Sequence, residues 1–270
     1  MDSIPTPDAL LPLGLFMALL LVAGIAALGH FAWQVHPSRE AWPERLRRLA
    51  DASPWRWRDL GWIFLLTAAA QTLRRFVLPN TPVWHVAAFH GVLCAAILWR
   101  MQGKVRPFGP PLPWRTAAGQ ALLRWLAVLP ILWFTGFAWQ ILLRVTGYVP
   151  EFQQVIRLFM ETTDPWRRAA FLLMAVGLAP VVEEGLFRGI LLPLVSRRLG
   201  PRAGLILVSV GFAALHGDPG SFAALVVMAL ALGLAYVRTG SLWVPIAMHM
   251  IFNAVNLVLL LLLLRAGFAP

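Results

Sequence analysis

The sequence predicts an all-α, polytopic membrane helix bundle of about eight transmembrane helices. Two observations carry that prediction. Of 270 residues, 59% are hydrophobic and only 13% are charged, about half the charged share of a soluble domain. The mean hydropathy is +0.72, and apolar stretches of near-spanning length recur along the chain. A chain of this kind is built for lipid as its solvent.

The apolar windows fall at 10–33, 60–79, 83–100, 119–145, 169–195, 203–217, 222–237 and 241–264. A helix needs about 20 apolar residues to cross the hydrocarbon core, so the sixth and seventh either tilt or meet inside the bilayer. The second is interrupted by Arg74 and Arg75. The first does not read as a cleavable signal, because Asp2 and Asp8 precede it in place of basic residues. It reads as a retained membrane helix.

The formal net charge of +11 belongs to the loops. Arg39, Arg45, Arg47, Arg48, Arg56 and Arg58 follow the first window. Arg100, Lys104, Arg106 and Arg115 follow the third; Arg197, Arg198 and Arg202 follow the fifth; Arg238 follows the seventh. If eight spans alternate, all four places face the cytoplasm. No zinc finger, phosphate loop or RNA-binding motif is present, and no nucleic-acid partner is expected. The segment "REAWPERLRRLAD" is expected to be an amphipathic surface helix with Trp42, Leu46 and Leu49 toward lipid. A further short helix is expected around "EFQQVIRLF". The one cysteine, Cys94, allows no internal disulfide.

Chemistry concentrates in the last third. "GLAPVVEEGLFRGILLP" places Glu183, Glu184 and Arg188 in the middle of the fifth window. Three charges there cost roughly 8–10 kcal/mol before pairing. Glu184 and Arg188 are four residues apart with the acid first, the favourable order for a helical pair. Glu183 points about 100° away and has no partner on its own helix. The sixth window ends "FAALH", which sets Phe212 four residues before His216. The eighth contains "HMIFN", which sets His249 four residues before Asn253 on one helix face. Interhelical hydrogen bonding alone could account for each of these. Together, a carboxylate, two imidazoles and a carboxamide at similar depth make a candidate site for water activation.

These residues resemble a known family. "EEGLFR" fits EExxxR, "FAALH" fits FxxxH and "HMIFN" fits HxxxN, in the order and on the separate helices found in the CPBP intramembrane proteases. That family includes the type II CAAX prenyl endopeptidases and bacteriocin-processing and self-immunity relatives. The resemblance covers about residues 170–260. It divides the chain into an N-terminal part, 1–165, with no recognised motif, and a catalytic part, 166–264.

The resemblance implies a glutamic intramembrane endopeptidase of the cell membrane, acting on a membrane-associated or lipidated peptide. Glu183 and His216 would activate the water, and His249 and Asn253 would stabilise the oxyanion. Glu184, Arg188 and Phe212 would support them, with no cofactor. Two alternatives stay open. Glu183, His216 and His249 could hold Zn²⁺ in a metal-dependent version of the same protease. The polar cluster could instead be the core of a transporter or a non-catalytic scaffold.

Overall fold

The computed structural model describes residues 7–33, 40–77, 82–103, 108–110, 112–148 and 154–267. Among these residues the regular secondary structure is helical, without strands. The helices are α1 (Pro7–Trp33), α2 (Trp42–Ala52), α3 (Trp57–Val77), α4 (Pro82–Met101), α5 (Trp114–Val145) and α6 (Gln154–Glu161). They continue with α7 (Pro165–Leu199), α8 (Pro201–Leu215), α9 (Phe222–Thr239) and α10 (Trp243–Arg265). Each of the eight apolar windows is occupied by a helix. The short helix expected around "EFQQVIRLF" is α6; residues 151–153 of that stretch lie outside the described residues.

Among the described residues, five helices are long and apolar enough to cross a membrane: Leu10–Phe31, Trp114–Val145, Pro165–Leu199, Phe222–Thr239 and Trp243–Arg265. The stretches Ala87–Met101 and Pro201–Leu215 are apolar but shorter. The protein is a multi-pass all-α bundle, and five spans rest on length and composition where the sequence suggested about eight. Two of the three remaining windows fall short for a physical reason. α3 carries Arg74 and Arg75 in its last turn, and α8 at about 22 Å does not match a hydrocarbon core about 30 Å thick.

α1 and α5 pack closely. A side chain at Gly24 would meet the Leu126 carbonyl at 2.9 Å and the Pro130 ring at 3.0 Å, so the absent Cβ lets the two backbones approach. α5, α9 and α10 share a core that includes Trp125, Leu129, Met228, Leu232, Val244 and Met248. A second core joins α7, α8, α9 and α10 through Phe187, Phe212, Leu205, Leu225 and Ile246. α3 and α4 pack against α7 through Ile63, Leu93, Ile97, Val182 and Ile190.

The basic loops gather at one end of this bundle. Arg45 donates to the Arg238 carbonyl at 2.9 Å, which satisfies an orphan acceptor in the last turn of α9. Arg197 donates to the Trp55 carbonyl, Arg198 lies over the Trp57 ring, and Arg100 pairs with the buried Asp59. The Leu242 N–H donates to the Phe108 carbonyl at 3.0 Å, which ties the segment before α5 to the same end. Arg39, Lys104 and Arg106 lie outside the described residues.

The expected surface helix exists as α2, but its apolar face turns inward. Leu46 and Ala50 are fully buried. Trp42 and Leu49 pack beside Leu46 against the α7–α10 core. An amphipathic face is equally suited to lipid and to protein. Here the arginine-rich ends of α7, α8 and α9 supply an apolar surface large enough to take it.

α7 is the helix that positions the site, and it is irregular. Two π-helical segments, Leu173–Leu178 and Gly185–Leu191, flank the α-helical stretch Ala179–Glu184. Each leads into a proline, Pro180 and Pro193. Proline lacks the N–H and its ring crowds the carbonyl four residues earlier, and a widened turn relieves that crowding. Such turns re-aim side chains and are frequent at functional sites. Both glutamates lie between them.

Candidate active site

Glu184 and Arg188 form the ion pair that their spacing predicts. Arg188 Nη1 donates to Glu184 Oε1 at 2.8 Å, with side-chain exposures of 1% and 0%. Arg188 Nη2 donates to the Ala229 carbonyl of α9 at 2.9 Å. Its guanidinium carbon lies 4.8 Å from the centre of the Phe212 ring. A charge buried this deeply needs every donor engaged, and a carboxylate, a carbonyl and a ring face share that work.

Glu184 has a second partner. Nδ1 of His249 lies 3.0 Å from the same Oε1. An ionised carboxylate only accepts, so this contact places the Nδ1 proton on His249 and turns Nε2 the other way. Nε2 of His249 lies 3.8 Å from Oε2 of Glu183. The imidazole therefore stands between the two glutamates.

Glu183 is placed differently from its neighbour. Its side chain is 22% exposed, and its Oε2 has no hydrogen-bond partner. The imidazoles of His90, His216 and His249 all lie within its electrostatic reach. Each glutamate keeps an Oε2 without a hydrogen-bond partner, but Glu184 is fully buried and anchors a guanidinium and an imidazole through Oε1, while Glu183 is the more exposed of the two.

The FxxxH spacing has a local cause. Nδ1 of His216 bonds the Phe212 carbonyl at 2.8 Å. A carbonyl only accepts, so Nδ1 carries the proton and Nε2 keeps its lone pair in the neutral ring. The Phe212 ring is buried. Its centre lies 4.6 Å from that of the tilted His216 ring, and it meets His249 and Phe187 edge-on at 5.8 Å and 5.0 Å. Phe212 is thus the common wall of Arg188, His216 and His249. α8 and α9 are both short, and the turn between them lies roughly 22–27 Å from their basic ends. His216 begins that turn, near the depth of Glu183, which is roughly 24 Å from the end of α7.

Asn253 sits one turn beyond His249 on α10. Its Nδ2 donates to the Ala175 carbonyl at 2.7 Å, inside the first π-helical segment of α7. One amide hydrogen thereby locks α10 to α7, and the second is not used by that bond.

Of the seven residues singled out from the sequence, Glu183, Glu184, Arg188, Phe212 and His249 make one connected cluster. His216 joins it through Phe212 and through its electrostatic reach to Glu183. Asn253 shares the α10 face of His249 but bonds the α7 backbone. Among the described residues no group of three His, Cys, Asp or Glu side chains is arranged to hold a metal ion. Sequence reasoning missed His90, on α4, whose Nε2 lies 3.6 Å from Oε1 of Glu183. The available signal was a histidine inside an apolar window, in "HVAAFHGVLC".

Comparison with known proteins agrees with the motifs. Residues 165–255 match the family model described as type II CAAX prenyl endopeptidase Rce1-like. The resemblance to CPBP proteases is borne out over that segment, which contains all three motifs. The match points to a membrane CAAX-type endopeptidase, a peptidase and so a hydrolase. Comparison with curated proteins and with solved structures gave no match.

Proposed function

We propose, taking the Rce1-like match of residues 165–255 as premise, that this chain is a glutamic intramembrane endopeptidase of the cell membrane. It hydrolyses a peptide bond in a membrane-associated or lipidated peptide. The observation that carries the reading is the contrast between adjacent carboxylates. Glu184 is 0% exposed and bound through Oε1 to Arg188 and His249, whereas Glu183 is 22% exposed, with Oε2 unbonded and 3.8 Å from Nε2 of His249.

In this reading a water sits against Oε2 of Glu183 and Nε2 of His216. Glu183 takes one proton as the water oxygen attacks the scissile carbonyl carbon. His216 orients the water through its Nε2 lone pair. The carbonyl oxygen becomes an oxyanion facing His249 and Asn253. The remaining Asn253 amide hydrogen is a neutral donor to it. An imidazolium at His249, with Nδ1 held by Glu184, offers a second donor from Nε2. The tetrahedral intermediate collapses as the proton returns from Glu183 to the leaving nitrogen. The products are a carboxylate and a protonated amine, which takes up both protons of the water, and water is the only co-reactant.

No serine or cysteine lies in the three motifs, so a covalent acyl-enzyme has no nucleophile there. The groups named perform every proton transfer by themselves, and we propose a reaction without a resident metal. The test is cleavage of a fluorogenic farnesylated CAAX peptide, and of its unlipidated counterpart, by the purified chain in nanodiscs. Mass spectrometry of the products identifies the bond broken. Faster cleavage of the lipidated peptide, with activity surviving exhaustive chelation, supports the reading. Activity lost with a stoichiometric metal and restored by Zn²⁺ makes it a metalloprotease instead. If neither probe nor the cell's membrane peptidome shows a cleavage that depends on this chain, the scaffold or transporter reading takes its place.

A further inference from the structure

We infer that His90, on α4 and outside the segment that matches the protease family, is a positioning residue of this site: it holds one oxygen of Glu183 so that the other faces the water. The inference rests on Glu183 being the base. Nε2 of His90 lies 3.6 Å from Oε1 of Glu183, while Oε2 faces Nε2 of His249 at 3.8 Å. The two imidazoles therefore address different oxygens of one carboxylate.

The register of α4 aims His90 at this place. His90, Leu93 and Ile97 are spaced i, i+3 and i+7, on one helix face. Leu93 and Ile97 pack against Val182 and Ile190 of α7, on either side of the glutamates along that helix. The Phe89 ring meets His90 edge-on at 5.4 Å, which limits the imidazole's swing. His90 is only 16% exposed. Its side chain is thus set by packing.

A glutamate needs such a partner. Its terminal torsion is broad and roughly two-fold, so an untethered carboxylate spreads its oxygens over many directions. A donor on Oε1 narrows that spread. The gap of 3.6 Å is slightly longer than a direct N–H···O bond. Catalytic hydrogen bonds in substrate-free sites are often long and tighten when substrate arrives. The consequence is that the motif-free N-terminal part is required at the centre of the chemistry.

The experiment uses the full chain in nanodiscs with His90→Gln, which keeps a donor, and His90→Phe, which keeps bulk without one. Glu183→Gln serves as reference. The first readout is the infrared carboxylate band that disappears in Glu183→Gln. It should shift in His90→Phe and stay near its native position in His90→Gln. The second is turnover of the farnesylated CAAX peptide. Misplacing a reacting group by about 1 Å costs roughly 100-fold. We expect His90→Phe to lose about 10- to 100-fold in kcat with KM little changed, and His90→Gln to recover most of the loss. An unshifted band in His90→Phe overturns the inference. So does native kcat in that variant, and so does an equal loss in both variants, which would make His90 a packing residue. An active Glu183→Gln variant fails the base assignment itself, and with it any catalytic meaning of the contact. The band still reports, by itself, whether the contact exists.

Discussion

Nδ1 of His249 lies 3.0 Å from Oε1 of Glu184, on the same oxygen that takes the Arg188 guanidinium at 2.8 Å. One carboxylate oxygen thus orients the imidazole and neutralises the arginine. The second glutamate of the motif is the structural centre of the cluster: it holds Arg188 of α7 and His249 of α10, and Arg188 in turn donates to the Ala229 carbonyl of α9.

Glu184→Gln should therefore destabilise the protein. The change leaves Arg188 buried without its counter-charge, and breaking a buried pair costs about 3–5 kcal/mol. It also weakens the hold on His249. The double change Glu184→Gln with Arg188→Gln should recover part of the stability, because no lone charge remains. Melting temperatures of the three proteins in detergent or nanodiscs provide the check.

Leu46→Ala should destabilise too, by about 2–5 kcal/mol, the usual cost of emptying a buried leucine site. A lipid-facing leucine would not show this. The prediction separates the docked α2 found here from the surface helix that the sequence suggested. The measurement is thermal unfolding, with the exposed Leu98 changed to alanine as the control, expected to be near neutral.

Orientation follows from the arginine-rich end. Reporter fusions after residues 50 and 200 should both report the cytoplasm, because α2 and the end of α7 pack together and the arginines there favour that side. A fusion after residue 105, in the basic loop that follows the third apolar window, should agree. A periplasmic signal from any of the three would reverse the assignment.

The sequence made part of this site legible because helical spacing and apolar context decide local geometry. The Glu184–Arg188 pair, the His216 bond to the Phe212 carbonyl and the shared face of His249 and Asn253 are all four-residue relations. The helix positions followed from apolar length alone. The rest depended on contacts between distant parts of the chain. Glu184 serves two partners, and nothing in the EExxxR spacing announces His249, which arrives from α10. Asn253 bonds Ala175 because a π-helical segment opens there. His90 reaches Glu183 from a helix without a motif. The inward turn of α2 was hidden because an amphipathic pattern does not say whether lipid or protein covers it.

The most direct test of the account is turnover of the farnesylated CAAX peptide by Glu183→Gln and Glu184→Gln, each read beside its melting temperature. A general base contributes about 10²–10⁴-fold in rate. The account predicts a loss of that size in Glu183→Gln at native stability, and loss of stability together with activity in Glu184→Gln. An active Glu183→Gln, beside a Glu184→Gln that folds normally and is dead, would contradict it and move the base to Glu184.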